Sequence, residues 1–331
     1  MRVFVYEHVT GGGMVGTLVP PGLRHEADLI VRCLVEDLAA CPGIELLSSR
    51  DARLPAIPGV ETMRVGTDDD PGATFLRGVE AADAVWPTAP ETGGVLERLA
   101  TEVERRGRTL LGCRPDAVRI AASKRRTAET LAAAAIPVVP TFAADAAIPD
   151  WPGPWVTKPD DGAGAEDTIV AEDSRSASMR LRSGPGLVAQ RWVQGTPLSL
   201  CMLCVDGQSL LLSCNRQHLR IFDGRVALDA IEVNAPIERW DELATLAGRI
   251  ATALPGLWGY VGVDLVMSDG GPVVLEVNPR LTTSYCGLGR ALGTSVAAMV
   301  LDLLSPGAPA RWRRPAGGTT VQLNLETSLA G

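Results

Sequence analysis

Residues 259–266 read GYVGVDLV, residues 268–271 read SDGG and residues 273–280 read VVLEVNPR. Two apolar runs joined by a glycine-containing turn predict a β-hairpin. Glu276 and Asn278 are two residues apart, so both side chains are expected on one face of their strand. A hairpin that folds about Gly270 places Asp264 directly opposite Glu276, on that same face.

The two facing carboxylates of this hairpin predict a cation site. Like charges directly opposite one another on a sheet weaken the pairing. The apolar residues that alternate with them indicate that the other face is core. A hard cation bound by Asp264, Glu276 and Asn278 removes the conflict, and oxygen ligands suit Mg²⁺, which completes its shell with phosphate and water. The alternative is a solvated hairpin face with incidental acids.

Two lysines upstream strengthen this interpretation. Lys158 ends an apolar run and precedes a loop at residues 159–167, in which Gly162 lets backbone N–H groups approach a phosphate. Lys124 follows Ser123, a predicted helix cap, and an anion is favoured at a helix start. Either lysine alone is more often a surface charge. Together with the two-carboxylate hairpin they predict a cleft for a nucleoside triphosphate.

Four segments, in this order, resemble the ATP-grasp superfamily over roughly residues 110–305: SKRRT at 123–127, VTKP at 156–159, AQRWVQG at 189–195, and Asp264 with EVNP at 276–279. The resemblance implies ATP with Mg²⁺ or Mn²⁺ as cofactors. It implies that Lys124, Lys158 and the loop with Gly162 hold the phosphates. The hinge strand that contacts adenine is then formed by Gln190, Arg191, Trp192 and Val193.

The resemblance also implies a set of catalytic groups. Asp264, Glu276 and Asn278 are expected to bind the metal, and Arg280 to stabilise the acyl phosphate or the transferring phosphoryl group. This chain lacks the ribose-binding glutamate that many members carry shortly after the hinge. It also has Gly262 where some ligases have an arginine. Arg280 or Arg216 is therefore expected to take more of the phosphate contact.

The order of elements predicts α/β followed by α+β. Over about the first 115 residues, short apolar runs alternate with helical periodicity at residues 23–40 and 92–106, which favours a parallel sheet covered by helices. Hairpin signals dominate later, and residues 68–72 are either a loop or a capped helix start. We predict an ATP-grasp fold with a Rossmann-like N-terminal domain (1–114), a central subdomain (115–190) and a C-terminal subdomain with the metal site (191–331).

Segments outside the cleft resemble one branch, the tyramine–glutamate ligase family of methanofuran biosynthesis: VYEHVTGGG at 5–13, APETGG at 89–94, NRQ at 215–217 and NPRLTTSY at 278–285. That resemblance implies activation of the γ-carboxylate of glutamate as an acyl phosphate, which the amine of tyramine then attacks. A composition rich in Ala, Gly and Arg looks bacterial, so we also expect a methylofuran-type pathway with tyrosine or tyramine as acceptor.

Within this hypothesis two loops are candidates for substrate binding. Thr282, Thr283 and Ser284 offer hydroxyls to a substrate carboxylate, or they only cap the following helix. Glu7, Gly11 and Gly12 lie at the carboxyl end of the first strand, where open α/β sheets place ligands. Glu7 is a candidate to hold a substrate amino group.

Composition narrows the classes of partner. With 331 residues and a net charge of -8, a large nucleic-acid surface is not expected. No apolar run is long enough to span a membrane and no signal-peptide core is present, so we expect a cytoplasmic protein. A homodimer is expected only by analogy.

Cys201 and Cys204 form a C-x-x-C on a predicted strand, where residues three apart face opposite ways, so buried thiols are favoured over zinc.

Three other functions stay open from the residues alone. Gly11, Gly13 and Gly16 match a dinucleotide fingerprint, but the acids at the required distance, Glu36 and Asp37, fall in a helical segment. An ATP-binding sensor without catalysis needs the same cleft, although every metal-ligand type is present. A kinase needs that cleft as well.

Overall fold

The computed structural model describes residues 1–162 and 167–325. Its N-terminal part is a five-stranded parallel sheet in the order β3-β2-β1-β4-β5 with helices between the strands. In chain order the elements are β1 (Arg2–Glu7), α1 (Pro21–Ala39), β2 (Glu45–Asp51), β3 (Glu61–Val65), α2 (Pro71–Ala81), β4 (Ala84–Thr88), a 3₁₀ turn (Thr92–Gly94), α3 (Val95–Arg105) and β5 (Thr109–Leu110). The predicted Rossmann-like arrangement is confirmed.

The start of α2 settles the segment at residues 68–72. The Asp70 carboxylate accepts hydrogen bonds from the backbone N–H groups of Gly72 (2.8 Å) and Ala73 (3.2 Å), and Pro71 occupies the first helical position. A capping aspartate followed by proline satisfies the free N–H groups of a helix start. The segment therefore begins a helix. The β3 strand was not predicted from the sequence.

The second part of the chain contains a ten-stranded sheet in the order β14-β13-β10-β11-β12-β8-β7-β9-β6, with β15 paired to β12. Its strands are β6 (Thr141–Ala143), β7 (Trp155–Pro159), β8 (Ile169–Ala171), β9 (Leu187–Arg191), β10 (Thr196–Val205), β11 (Gln208–Phe222), β12 (Arg225–Val233), β13 (Gly259–Ser268), β14 (Gly271–Asn278) and β15 (Val321–Asn324). Its helices are α4 (Pro115–Ala121), α5 (Lys124–Ala133), α6 (Ser174–Ser183), α7 (Trp240–Ala253), α8 (Tyr285–Leu292), α9 (Val296–Asp302) and α10 (Ala308–Arg311).

The two faces of this sheet pack against different partners. Leu200 and Cys204 belong to a core that includes residues of α4 and α7, whereas Cys201 and Leu203 belong to a core that includes residues of α1, α8 and α9. Alternation along β10 produces this division. Cys201 and Cys204 are both fully buried and lie on opposite faces, which confirms that the two thiols do not converge.

Helix α1 connects the two parts of the molecule. Asp37 accepts a hydrogen bond from the Tyr285 hydroxyl (2.6 Å) and another from the backbone N–H of Ala297 (2.8 Å). Asp37 therefore has a structural role and is not free to bind a ribose. Gly16 also precedes the start of α1 by five residues, so the glycine-rich segment does not open a helix as a dinucleotide fingerprint requires.

No helix among residues 1–162 and 167–325 is long and apolar enough to cross a bilayer. The predicted domain limits at residues 114 and 190 stay predictions.

Candidate active site

The hairpin of β13 and β14 contains the predicted pair. Asp264 pairs with Glu276, and Gly262 pairs with Asn278. A bulge brings Glu276 to this position, because Leu265, the residue after Asp264, pairs with Val274. The Asn278 amide donates a hydrogen bond to one oxygen of Asp264 (2.8 Å), and the amide of Gln217 on β11 donates to the other (2.8 Å). Two carboxylates and two amides thus converge at one point on the sheet.

The two carboxylates have opposite electrostatic environments. Burial and the neighbouring Glu276 raise the pKa of Asp264 to about 7. Burial also acts to raise the pKa of Glu276, but the charges of Lys124 and Lys158 outweigh it and lower that pKa to about 2. Glu276 is therefore ionised throughout the neutral pH range, and it is the carboxylate to which both lysines are directed.

These oxygen donors suit a hard cation that is bound partly by the protein and partly by the phosphates of a nucleotide. No group of three or more His, Cys, Asp or Glu side chains suitable for a metal is present in the described part of the chain. A cation here would have oxygen ligands from Asp264, Glu276 and Asn278 and would complete its shell with phosphate and water. Mg²⁺ commonly binds in this way, so the residues present fit the ion.

Both predicted lysines reach this site. The ammonium groups of Lys124 and Lys158 each lie 3.5 Å from the same Glu276 oxygen, Oε2, and both side chains are buried. Burial lowers the pKa of Lys158, and the charge of Glu276 opposes that shift. Lys124 also donates a hydrogen bond to the Gly162 carbonyl (2.7 Å). The lysines therefore form a cationic group that one carboxylate partly neutralises.

The start of α5 explains the position of Lys124. Ser123 accepts a hydrogen bond from the backbone N–H of Arg126 (3.1 Å), as expected for a helix cap. Asp160 accepts hydrogen bonds from the Ser123 hydroxyl (2.6 Å) and from the backbone N–H of Arg125 (2.9 Å). The loop after β7 is thereby fixed to the start of α5. The loop at residues 159–167, which was expected to approach the phosphates, lies partly outside the described residues.

One cleft, with a volume of about 240 Å³, extends from Lys158 and the predicted metal residues to the hinge strand. Gln190, Arg191, Trp192 and Val193 all line it, together with apolar side chains that include Val156, Val266 and Leu275. The Gln190 amide donates to the Thr141 hydroxyl (2.9 Å). The predicted hinge and metal residues thus lie along a single cleft, with the hinge end largely apolar.

Arg280 lines the same cleft, and a residue of the N-terminal part holds it. Its Nε donates to Glu91 Oε1 (2.9 Å) and its Nη2 donates to Glu91 Oε2 (3.1 Å). Nη1 donates to the Leu281 carbonyl (3.1 Å). A guanidinium has five N–H donors, so two remain available to a phosphoryl or acyl group. Glu91, 189 positions away in the sequence, was not predicted as a site residue.

Arg216 does not lie in the cleft, which corrects the sequence prediction. Its guanidinium pairs with Glu232 (3.2 Å) on the adjacent strand. Successive residues of a strand face opposite sides, and it is the neighbouring Gln217 that lines the cleft and contacts Asp264. Gln217 and Ser199, which also lines the cleft, were missed because their strand faces were not assigned.

The loop with Glu7, Gly11 and Gly12 is likewise absent from the lining of the cleft. The Glu7 carboxylate is buried and accepts hydrogen bonds from the Val9 N–H (3.0 Å) and from the Thr10 N–H (2.6 Å) and hydroxyl (2.7 Å). A Cβ on Gly11 would lie 2.4 Å from the Glu7 carbonyl oxygen. Both features fold the loop onto its own sheet, so Glu7 is not positioned to hold a substrate amino group.

The loop with Thr282, Thr283 and Ser284 does line the cleft. A Cβ on Gly262 would lie 2.7 Å from Thr282, whereas a Cβ on Gly195, which follows the hinge, would lie 2.2 Å from the Met267 carbonyl oxygen. Since Gly262 and Met267 are five residues apart on β13, the loop lies at the end away from the hinge. Ser284 precedes α8 but makes no side-chain capping bond, so it does not act as a side-chain cap. The Thr282 hydroxyl is 2.8 Å from the Tyr260 hydroxyl, and the Thr283 hydroxyl donates to Glu26 of α1. Glu26 was not predicted, since no local pattern on α1 distinguishes it from an ordinary exposed acid.

Comparison with known proteins agrees with this geometry. Residues 121–284 match the family model of the ATP-grasp domain, and residues 44–118 match the pre ATP-grasp 3 domain. The chain is similar to a tyramine–L-glutamate ligase of Methanocaldococcus fervens, with 29% identity over 209 residues. That match covers 63% of this chain and 62% of the relative, so it spans about three fifths of the relative's own length.

Solved structures share the fold. An ATP-grasp superfamily protein from Archaeoglobus fulgidus superposes with a TM-score of 0.74 at 23% identity, covering 98% of this chain and 92% of that one. An L-amino acid ligase from Bacillus licheniformis superposes with a TM-score of 0.65 at 16% identity, covering 94% of this chain and 76% of that one. With a pre-ATP-grasp domain followed by an ATP-grasp domain, this chain belongs to the ATP-grasp superfamily.

Proposed function

We propose that this protein is an ATP-dependent ligase that joins a carboxylic acid to an amine through an acyl phosphate. The observation that carries the proposal is that Asp264, Glu276, Asn278 and Lys158 line one cleft, and that Lys124 reaches the same Glu276 oxygen as Lys158. Such a group neutralises a triphosphate and its developing charge, which is the main requirement of phosphoryl transfer. The names of the similar proteins, two of them ligases of amino acids, support the same reaction class.

Different residues along the cleft would contact the adenine, the phosphates, the metal ion and the acyl phosphate. The adenine would lie against residues 190–193, and the phosphates would contact Lys124 and Lys158. Asp264, Glu276 and Asn278 would hold Mg²⁺ or Mn²⁺, which neutralises phosphate charge when bound. An oxygen of the acid attacks the γ-phosphorus, and ADP leaves with the electrons of the broken P–O bond. The free N–H groups of Arg280 stabilise the resulting acyl phosphate.

The amine completes the reaction at the end of the cleft beyond Arg280. Its nitrogen lone pair forms a bond to the acyl carbon, the C–O bond to phosphate breaks, and phosphate leaves with that electron pair. The nitrogen loses its extra proton to solvent or phosphate. We propose glutamate, through its γ-carboxylate, as the acid and tyramine or tyrosine as the amine, as in a methanofuran or methylofuran pathway. The similarity to a tyramine–L-glutamate ligase supports this choice.

The test is ADP release from ATP and Mg²⁺ with glutamate alone, with tyramine or tyrosine alone, and with each pair. We expect full turnover only with a pair, together with a product whose mass equals that of the amide. The Glu276→Gln variant is the inactive control. A stable phosphorylated product in the absence of any amine would instead indicate a kinase. No ADP release with any acid and amine would contradict the proposed ligase.

A further inference from the structure

The end of the cleft away from the hinge contains a carboxylate with no role in the scheme above. Glu26 is the only residue of the N-terminal sheet region among the described residues that line this cleft. It lies on α1, in the first half of the helix, and its carboxylate accepts the hydrogen bond of the Thr283 hydroxyl. Arg280, Thr282 and Ser284 line the cleft beside it.

The threonine hydroxyls at this end are already in use. A hydroxyl has one hydrogen to donate, and that of Thr283 goes to Glu26. The Thr282 hydroxyl is paired with the Tyr260 hydroxyl. A substrate carboxylate at these threonines would find no free donor on Thr283 and would face the negative charge of Glu26. This end of the cleft therefore favours a cationic donor over the carboxylate that the sequence predicted.

The charges of the cleft lead to the same conclusion. Three acids line it: Asp264, Glu276 and Glu26. Glu276 is paired with two lysines, and the charge of Arg280 is paired with Glu91. Glu26 makes no ion pair with any Lys, Arg or His in the parts of the chain that the structure describes. Arg280 is near enough for its charge to attract Glu26, but its guanidinium is hydrogen-bonded to Glu91 instead, so the Glu26 carboxylate is available to an ammonium group.

We propose that Glu26 and Thr283 form a subsite for the ammonium group of the amine substrate. The proposal rests on the ligase function above. The reacting carboxylate of the acid has to lie between the lysine and metal group and Arg280, because phosphate is transferred to it there. The amine has to reach the acyl carbon beside Arg280, and Glu26 lines the same cleft within electrostatic range of Arg280. A carboxylate that accepts charge-assisted hydrogen bonds from an ammonium suits that position.

Direct binding tests the subsite without requiring turnover. Calorimetry measures the affinity of tyramine and of 4-ethylphenol, which lacks the ammonium, for the protein with ADP and Mg²⁺. We expect wild type to prefer tyramine and Glu26→Gln to lose that preference, with tyramine weakened about 10-fold or more. Glu36→Gln, which changes another exposed glutamate of α1, is the matched control. Equal binding of both compounds by wild type, or no binding of tyramine, would overturn the proposal.

A second assay identifies which substrate the subsite binds. Hydroxylamine, a small acceptor that is uncharged at neutral pH, traps the acyl phosphate of glutamate as a hydroxamate. We expect Glu26→Gln to keep the wild-type KM for glutamate in this reaction while its KM for tyramine in amide synthesis rises about 10-fold or more. A raised KM for glutamate in the hydroxamate reaction would overturn the assignment, because Glu26 would then bind the ammonium of the acid. Failure of every turnover assay, with the tyramine preference intact, would reject the ligase reaction and not the subsite.

Discussion

Glu91 accepts hydrogen bonds from Arg280 with both carboxylate oxygens, at 2.9 Å and 3.1 Å. This ion pair joins the region of the parallel sheet to the hairpin that carries the predicted metal site. Glu91 follows β4, and Arg280 follows β14 by two residues. Both side chains are largely buried. A planar, bidentate pair fixes the orientation of a guanidinium. The N-terminal part of the molecule thus sets the direction in which the remaining N–H groups of Arg280 face the cleft.

We expect Glu91→Gln to lower kcat about 10-fold or more while changing the KM for ATP little, because the variant loosens Arg280 and leaves the lysines intact. Removing one partner of a buried ion pair also costs about 3–5 kcal/mol of stability, so the melting temperature should fall. Steady-state kinetics and thermal unfolding measure both effects. The control is Glu97→Gln, whose weaker pair with Arg119 is 3.6 Å long. A wild-type kcat in Glu91→Gln would show that Arg280 does not depend on this contact.

Glu276 has two functions that substitution can separate. Glu276→Gln removes a metal ligand and also the shared counter-charge of Lys124 and Lys158, so we expect loss of ATP turnover and a lower melting temperature. Lys158→Ala should abolish turnover as well, with the fold retained. In a double-mutant cycle, Glu276→Gln should cost less stability when Lys158 is already Met, because one fewer buried ammonium is left unpaired. Strictly additive unfolding free energies would argue against the coupling.

The part of the site that could be predicted from the sequence is the part that local chemistry determines. The turn at residues 268–271 predicts the hairpin, and the predicted pair of Asp264 and Glu276 forms. The pair also needs a bulge that the sequence pattern did not show, because the register at the turn, with Ser268 opposite Gly271, would place Asp264 opposite Leu275. The cap at Ser123, which places Lys124 at a helix start, needs only a few neighbouring residues, so there the sequence pattern suffices.

Residues that tertiary packing brings to the cleft could not be predicted in this way. Glu26 reaches Thr283 across 257 positions, and Glu91 reaches Arg280 across 189. No periodicity relates such residues. Glu7 is the opposite case. The rule that ligands bind at the ends of strands pointed to this residue, but its carboxylate is already hydrogen-bonded to Thr10. The faces of β11 could not be assigned from the sequence, because bulges on both sides of Arg216 shift the register of the strand. The structure assigns Gln217, and not Arg216, to the cleft.

The neighbours Gln217 and Arg216 provide a direct test of that assignment. Gln217→Leu removes a hydrogen bond to Asp264, and loss of a side chain that hydrogen-bonds to a metal ligand typically changes metal affinity by about 10- to 100-fold. We expect a higher Mg²⁺ requirement for ATP turnover in this variant. Arg216→Gln breaks only a half-exposed pair with Glu232, which contributes about 0–1 kcal/mol, so its Mg²⁺ dependence should match wild type. The reverse order of effects would place Arg216, and not Gln217, at the metal.

His8 predicts a loss of stability in mild acid that is independent of the metal site. Burial and the nearby charge of Arg98 lower its pKa from 6.5 to about 4. Below pH 6.5 His8 binds a proton in the unfolded chain but not yet in the folded protein. The stability that neutral His8 contributes above pH 6.5 is therefore lost as the pH falls towards 4. Between pH 8 and pH 5 the loss should be on the order of 2 kcal/mol. Urea unfolding at several pH values measures it.

The variant His8→Asn should remove that part of the pH dependence, since asparagine does not titrate. Its free energy of unfolding can be lower than that of wild type at pH 8, because the ring packs against Gly13 and its Nδ1 lies 3.3 Å from the Tyr6 hydroxyl. The difference between the two proteins should nevertheless shrink as the pH falls to 5. His25→Asn, at an exposed position of α1, should keep the wild-type slope. An unchanged slope in His8→Asn would mean that other groups cause the acid sensitivity.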